Sequence, residues 1–536
     1  MQGFAASFQA RSSVPRQTSG VSQHASGPRA PGPLSPTTNE KSFRKAVADF
    51  KAGRLRRAAQ ELRQLNSPAA RNALGLVLEA MGDDADAQGA FQNALELQPD
   101  FTDAAYNEAR LLIRVHRPIA AISLLEAFLK GHRVKNKTTF SLRMLLAETD
   151  AYVGDDKAAL EILNELAKER PDSPDVRFNL ALTEARLGSL QEAVKQFHEE
   201  LRLKPKDPEG LMGFAKALLD QEKSAEAIPY LEQYVSLRPN DPQGYYALGY
   251  ALQDVGRPKE AVQKLSQAAH LSPEDYDIRF HLGMALWQSK QLESALSQLQ
   301  VAERLKPEEA QVHSALARVL WSLGRKKEAA EENAAVERLS LRRHQNDQAS
   351  YSIAKGNVLL GQGDYKGAEE QFRQASELNP QNAGALYNLG LALAHLNDPV
   401  GAQQEFQKAI AQDPKLAMAY NALGLIYKRE SQFSKAVDAF QQAIHINPQF
   451  AEAKNNLGTL YATLGKSDKA VALFKEATED SPEYPAPYLN WGLLLANQGN
   501  LAGAKKMFEK ALQLSPNLAQ ARKDLQTVNE ALKKQN

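Results

Sequence analysis

The sequence predicts an all-α solenoid of about fourteen tandem helix-turn-helix repeats followed by one C-terminal capping helix. The first observation is a period, because alanines recur along the chain and ten of the thirteen intervals between them are 34 residues. A fixed period of this length is the sequence signature of a repeat architecture. The alanines that set the count are Ala58, Ala87, Ala121, Ala159, Ala193, Ala227, Ala261, Ala295, Ala329, Ala368, Ala402, Ala436, Ala470 and Ala504.

The second observation is the apolar spacing inside one period, which is clearest in residues 417–450. Tyr420, Leu423, Gly424 and Tyr427 follow one another at i, i+3, i+4 and i+7, the spacing of one helical face. A second stripe of Ala436, Phe440 and Ala443 comes after a polar stretch. Two short helices that pack back to back explain this pattern, and such a pair needs neighbours to bury its apolar surface.

The third observation is a proline that closes most repeats. Proline has a fixed φ and no backbone N–H, so a helix rarely continues through it. With residues 417–450 numbered 1 to 34, the proline stands at position 32, and position 8 is Gly or Ala in every repeat. The closing prolines are Pro99, Pro171, Pro205, Pro239, Pro273, Pro307, Pro380, Pro414, Pro448, Pro482 and Pro516.

The chain begins with a segment of different composition. Residues 1–38 are rich in Ser, Pro, Gly, Gln and Thr without apolar periodicity, so we expect a disordered tail. Pro28, Pro31, Pro33 and Pro36 also give spacings found in proline-rich ligands, and a plain flexible tail is the alternative interpretation.

Residues 39–348 form a first sub-array of about nine repeats, with insertions near 130–139 and 341–348. The first insertion is expected to be a basic loop, and the second extends the second helix of repeat 9 to about His344, where we expect a hinge or a change of superhelical pitch. Residues 349–518 form a second sub-array of five repeats. Residues 519–534 supply one Lys-rich helix, which suits the polar cap that a solenoid requires.

Composition limits the function. The 65 basic and 64 acidic residues nearly cancel, so no global field favours nucleic acid, and no nucleic-acid partner is expected. The chain has no cysteine, which excludes disulfides and thiolate chemistry. No apolar run approaches the roughly 18 residues of a membrane span, so we expect no membrane insertion and a soluble protein. The compartment is left open, with the cytoplasm slightly favoured over a periplasmic or exported location after removal of a signal.

The pattern of Tyr, Leu, Gly, Tyr, Ala, Phe, Ala and Pro quoted above resembles the tetratricopeptide repeat (TPR). The repeats also resemble those of O-linked N-acetylglucosamine transferase, without room for its catalytic domain. The resemblance implies a right-handed superhelix whose first helices line a concave groove, with positions 2, 5, 6, 9, 12 and 13 facing a bound partner.

Transferred to this chain, that map selects two groups of partner-binding residues. The first is an aromatic patch in repeats 7 to 9, of the residue types that dominate interface energetics. Its members are Tyr246, Tyr250, Phe280, His281, Met284, Trp287, Arg318 and Trp321. The alternative is that these aromatic side chains pack as ordinary core between adjacent helices.

The second group is a set of asparagines at position 6. In the transferase a comparable ladder grips peptide backbone, and an amide both donates and accepts hydrogen bonds. The alternative is a preference of the repeat itself, and Ala422 interrupts the series. The group consists of Asn107, Asn179, Asn388, Asn456 and Asn490.

No catalytic or metal-binding pattern emerges from the sequence. Residues 359–367 offer glycines without the ending of a phosphate loop, and the ten histidines show no metal-ligand spacing. We therefore expect no cofactor and no enzyme activity. The leading hypothesis is a scaffold or adaptor that binds a peptide or helix of a partner protein in its groove. The alternative is an accessory subunit of a cell-envelope, export or polysaccharide-assembly machine, and a hidden enzyme is third.

Overall fold

The computed structural model describes residues 38–131 and 139–535, and every regular element in these ranges is an α-helix. The predicted tail up to residue 37 and most of the predicted basic loop lie outside the described residues. The described helices form fourteen consecutive helix-turn-helix repeats, of which the ninth and tenth share one helix, and a final single helix, which confirms the predicted all-α solenoid. The superhelical hand stays a prediction.

The first nine repeats supply helices α1 to α17 and the start of α18. Each first helix is followed by its antiparallel partner and then by the first helix of the next repeat. The bounds of α1 to α17 are Thr38–Lys51, Leu55–Arg63, Pro68–Met81, Asp84–Leu97, Thr102–Arg114, Pro118–Gly131, Phe140–Val153, Asp156–Glu169, Pro174–Arg186, Leu190–Leu203, Pro208–Asp220, Ser224–Leu237, Pro242–Asp254, Pro258–Leu271, Tyr276–Gln288, Leu292–Leu305 and Ala310–Ser322.

The remaining helices are α18 to α28. Helix α18 is the longest, with 36 residues. The bounds of α18 to α28 are Lys326–Gly361, Tyr365–Leu378, Ala383–His395, Pro399–Gln412, Ala417–Arg429, Phe433–Ile446, Ala451–Thr463, Ser467–Asp480, Pro485–Asn497, Leu501–Leu514 and Ala519–Gln535.

Helix α18 shows where one sequence-based expectation is wrong. The second helix of repeat 9 does not end near His344 but continues to Gly361, because no proline interrupts the segment and no glycine precedes Gly356. The second helix of repeat 9 and the first helix of repeat 10 are therefore one element. The chain divides into two compact units between Ala335 and Val336, and the sub-array boundary predicted at 348 and 349 lies in the same helix.

The turn between the two helices of a repeat has the same backbone feature throughout the array. Position 15 adopts a positive φ in all fourteen repeats, the left-handed conformation that ends many helices. Glycine reaches this region without steric cost and occupies nine of these positions. The other five are His116, Glu222, Lys290, Asn397 and Ser431.

The two helices of a repeat are closest at position 8. In repeat 12 a Cβ on Gly424 would lie 2.6 Å from the ring of Phe440, so the side chain at position 24 occupies the space that glycine leaves. The fully buried Phe440 belongs to a series that includes Phe406 and Phe474. Burial of each ring removes its apolar surface from water and stabilises the pair by roughly 2–3 kcal/mol.

The C-terminal helix α28 covers the last repeat. Val528 is 4% exposed and packs with the buried Ala504 and Phe508 of α27. The other faces of α28 carry exposed residues such as Arg522 and Lys523. This arrangement agrees with the predicted capping helix.

Candidate partner-binding surface

The predicted aromatic residues of repeats 7 to 9 lie on the first helices α13, α15 and α17, all in the first unit. Most of them are partly exposed and pack on the hydrophobic core with one side. This group, called the aromatic surface below, consists of Tyr250, Phe280, His281, Met284, Trp287, Arg318 and Trp321.

Tyr246 has to be removed from this set. Its side chain is only 2% exposed and belongs to the core between α13 and its neighbours. A partner in solution has no access to a ring at this depth, so Tyr246 supports the surface from below.

His281 is the centre of the first half of the aromatic surface. Its ring centroid lies 5.3 Å from that of Tyr250, 5.3 Å from that of Phe280 and 5.6 Å from that of Tyr246, in edge-to-face arrangements. Burial among these rings lowers the pKa of His281 to about 4, because a desolvated imidazole resists protonation. His281 is therefore neutral near pH 7, and the patch presents aromatic rings without a charge of its own.

Trp287 and Arg318 form the centre of the second half. The Arg318 guanidinium lies 5.2 Å from the centroid of the Trp287 ring, within the range of a cation–π interaction. The Trp287 indole Nε1–H donates to Ser322 Oγ at 3.2 Å. These contacts join α15 to α17 and hold the half-buried indole ring in one orientation.

Trp321 lies outside the hydrophobic core of the first unit. Its side chain is 63% exposed, although the tryptophan on the first helix of the preceding repeat, Trp287, is half-buried. Its contact within the unit is Lys326, whose Nζ lies 5.5 Å from the ring centroid. An exposed tryptophan of this size is not explained by packing within the repeat array.

Charge differs between the two ends of the aromatic surface. Burial raises the pKa of Tyr250, and the carboxylates of Asp254, Glu222 and Asp220 add to that shift. The opposite end carries Arg318 with Lys326. The surface is thus acidic beside repeats 6 and 7 and basic beside repeat 9.

The asparagine set has a common contact that the sequence did not reveal. Each of the five donates its side-chain N–H to a side chain on the first helix of the preceding repeat. The pairs are Asn107 to Asn72 at 2.9 Å, Asn179 to Glu148 at 3.4 Å, Asn388 to Asn357 at 3.0 Å, Asn456 to Asn421 at 3.0 Å and Asn490 to Asn455 at 2.9 Å.

This ladder links repeats to one another, so one amide hydrogen of each asparagine is already used. Asn107 and its partner Asn72 are fully buried, which removes Asn107 from the partner-binding candidates. Asn179, Asn388, Asn456 and Asn490 are partly exposed and keep an acceptor oxygen. Asn388 and Asn456 also keep a second N–H, whereas the side-chain nitrogen of Asn179 donates to Asp175 O as well and that of Asn490 to Thr459 Oγ1.

One cluster of potential metal ligands occurs in the described ranges, and its members come from three different helices. Glu303, His313 and Glu332 each place one ligand atom within 4.8 Å of the others. Because the three residues are distant in sequence, no short sequence motif predicts the cluster. The hydrogen bonds of the position-6 asparagines to the preceding repeat could not be predicted either, since their acceptors stand at position 5 in some repeats and at position 9 in others.

Comparisons with known proteins agree with this architecture. A family model described as tetratricopeptide repeat matches residues 144–208, 212–252, 353–417 and 421–485. Three further models with the same description match residues 252–319, 310–332 and 485–518. The fold and these matches define the class, a helical-repeat protein of the kind that serves as a protein-interaction scaffold. The chain belongs to the tetratricopeptide repeat family.

Several solved structures resemble parts or most of the chain. MamA is 29% identical over 31% of this chain and 96% of that chain, with a TM-score of 0.28. YrrB, described as a TPR protein with an unusual peptide-binding site, is 25% identical over 32% and 88% with a TM-score of 0.27. The APC/C hetero-tetramer Cut9–Hcn1 is 15% identical over 92% and 96% with a TM-score of 0.33. At these scores the likenesses carry no argument about the site.

No curated protein sequence matches the chain. Of the helices in the described ranges, none combines the length and the apolar character needed to cross a bilayer.

Proposed function

We propose that this protein is a non-catalytic scaffold that binds a segment of a partner protein across the first helices of repeats 7 to 9. The observation that carries the proposal is the exposed Trp321 beside the oriented Trp287 and Arg318. Tryptophan and arginine are enriched among residues that dominate binding energy, since they combine large apolar area with a polar edge.

The charges of the surface define the kind of segment that fits. Asp220 and Asp254 stand at one end, and Arg318 and Lys326 stand at the other. A complementary segment has apolar side chains in the middle, a basic residue toward repeats 6 and 7, and an acidic residue toward repeat 9. Such complementarity raises the association rate and fixes the direction of binding.

A photocrosslinking experiment identifies the partner and tests the site together. A photoreactive phenylalanine analogue replaces Trp321 in one version of the full chain and the exposed Val400 in a control version. A partner bound to the aromatic surface crosslinks to the first version and not to the second. The crosslinked peptide then supplies the ligand for affinity measurements.

The affinity measurement uses the triple variant Tyr250→Ala/Trp287→Ala/Trp321→Ala. Its matched control replaces three exposed apolar side chains elsewhere, as Ile119→Ala/Tyr351→Ala/Val400→Ala. Hot-spot residues contribute about 2 kcal/mol or more each, so the triple variant should bind at least roughly 30-fold more weakly while the control keeps its affinity. Equal affinity of wild type and triple variant defeats the proposal.

A further inference from the structure

A polar bracket recurs between consecutive repeats of the first unit. At position 4 an arginine reaches back to the carbonyl oxygen of the proline that closes the preceding repeat, and its other nitrogen donates to a glutamine at position 23. Arg279 donates to Pro273 O at 2.8 Å and to Gln298 Oε1 at 2.6 Å. Arg177 donates to Pro171 O at 3.0 Å and to Gln196 Oε1 at 2.7 Å.

Repeat 9 has the same bracket with different chemistry. His313 stands at position 4, and its Nε2 lies 2.8 Å from Pro307 O. Its Nδ1 lies 2.7 Å from Oε2 of Glu332 at position 23. Glu303 completes the group from position 28 of the preceding repeat, where the repeat-8 bracket has the apolar Ala269. The bracket has therefore exchanged a cation and two neutral residues for an imidazole and two carboxylates.

The hydrogen bond to Pro307 fixes the tautomer that a neutral imidazole adopts here. A carbonyl oxygen only accepts, so Nε2 carries the proton in its bond to Pro307. In the neutral ring Nδ1 then holds a lone pair, and this lone pair faces a carboxylate oxygen. Two lone pairs at hydrogen-bond distance need a positive species between them, either a proton or a metal ion.

The surroundings suit a metal ion. A histidine that binds a metal through one nitrogen commonly donates its other N–H to a backbone carbonyl, as His313 does to Pro307. His313 is 7% exposed, whereas Glu303 and Glu332 are partly exposed and leave an approach from solvent. The three side chains come from α16, α17 and α18, so the ligand set is held by three packed helices.

We propose that Glu303, His313 and Glu332 bind a divalent metal ion, with Zn²⁺ as the best fit to one imidazole nitrogen and two carboxylate oxygens. Zn²⁺ accepts such mixed nitrogen and oxygen sets in tetrahedral geometry and takes water as a fourth ligand. The ligand atoms, now within 4.8 Å of one another, come closer through rotation of the two partly exposed carboxylates. The site is independent of the partner-binding surface proposed above.

The test is a zinc titration of the full chain at about pH 8, where a proton competes weakly with the metal. The chain is first stripped of metal with a chelator, and ZnCl₂ is then added in competition with a chromophoric chelator. The variant Glu303→Ala/His313→Arg/Glu332→Gln gives repeat 9 the bracket of repeat 8. Because that bracket already supports repeat 8, the variant keeps the structural hydrogen bonds and loses only the metal ligands.

The control variant Glu331→Gln/His344→Arg makes similar changes at exposed positions of α18. Wild type and control should bind one Zn²⁺ that the bracket variant binds at least about 10-fold more weakly. Co²⁺ in place of Zn²⁺ should give the visible absorption of tetrahedral coordination in the first two proteins only. If all three proteins take up zinc equally, or none does, His313 and Glu332 form a proton-mediated ion pair and the proposal is overturned.

Discussion

Burial is the largest influence on the pKa of several carboxyl groups in repeats 4 and 5. Glu200 is 1% exposed, and its Oε2 has no hydrogen-bond partner among the described residues. Burial, with a further contribution from Asp207, raises the pKa of Glu200 to about 8. Glu148 and Glu184 follow the same rule, because burial raises the pKa of each to about 7.

These residues predict an unusual pH dependence of stability. An unfolded glutamate has a pKa of about 4.3, so between about pH 4.3 and pH 8 folded Glu200 keeps a proton that the unfolded chain releases. The free energy of unfolding therefore falls as pH rises through this window, by up to about 1.4 kcal/mol per pH unit for one group. Melting temperatures measured from pH 5 to pH 9 should decrease, and Glu200→Gln should flatten the curve.

The neighbouring Glu199 supplies the control because it is exposed and pairs with Arg202 at 2.9 Å. Glu199→Gln should leave the pH slope unchanged. A wild-type slope equal to that of Glu200→Gln would show that Glu200 is ionised in the folded state throughout the window.

For individual residues, the repeat map predicted which side chains are candidates better than it predicted which of them are exposed. The repeat map selects Trp321 as a groove residue, with core packing as the alternative, and its side chain is exposed. Tyr246 and Asn107 were selected by the same map, but they are buried because neighbouring repeats cover them. A periodic map describes one helix, whereas accessibility depends on the side chains that adjacent repeats contribute.

The contact between the two helices of a repeat depends on position 8. In repeat 2 a Cβ on Gly75 would lie 2.6 Å from Cδ1 of Phe91, which is fully buried. Real Cβ atoms do not approach a ring this closely, so the two helices would have to move apart. The same repeat contains Gly89 on α4, where an added Cβ meets nothing within 4 Å.

These two glycines give a matched pair of substitutions with opposite expected signs. Gly75→Ala should lower the free energy of unfolding by about 1–3 kcal/mol, because it overpacks the contact between α3 and α4. Gly89→Ala should raise it by roughly 0.5–1 kcal/mol, because alanine favours the helix and restricts the unfolded chain. Chemical denaturation measures both, and a loss of equal size in the two variants would contradict the role given to position 8.

Helix α18 marks the limit of prediction at the scale of elements. The irregular interval in repeat 9 indicated a long second helix, but not its fusion with the next first helix. Residues 341–348 have the composition of an exposed helix, and local propensity does not distinguish a helix that stops from one that continues. The other helix pairs could be predicted because closing prolines and the turn at position 15 separate them.

At the scale of the molecule, the count of fourteen repeats and the final cap could be predicted because one period governs most of the chain. Nearest-neighbour stacking makes each repeat depend on the next, and the last repeat depends on α28. The side chains that line a functional site come from several repeats at once. The period predicts in which repeat each of these side chains lies, but it does not predict which other side chains it contacts.

The apolar face of α28 shields the last repeat from solvent. Val528→Asp places a carboxylate against Ala504 and Phe508, and it should destabilise the terminal repeat by at least about 2 kcal/mol. The exposed Gln526→Asp adds the same charge on the outer side of α28 as a control. Binding of a hydrophobic dye should increase for Val528→Asp alone. Equal dye binding by the two variants would show that α28 does not shield the last repeat.

The bracket between repeats 8 and 9 bears on how such arrays acquire new properties. The two versions differ as Arg279, Gln298 and Ala269 in one and His313, Glu332 and Glu303 in the other. The genetic code connects each of these pairs of residues by a single base change. A few nucleotide substitutions therefore separate the proposed metal-binding residues from a bracket that has only a structural role. A repeat array can accumulate such substitutions in one repeat while its other repeats preserve the fold.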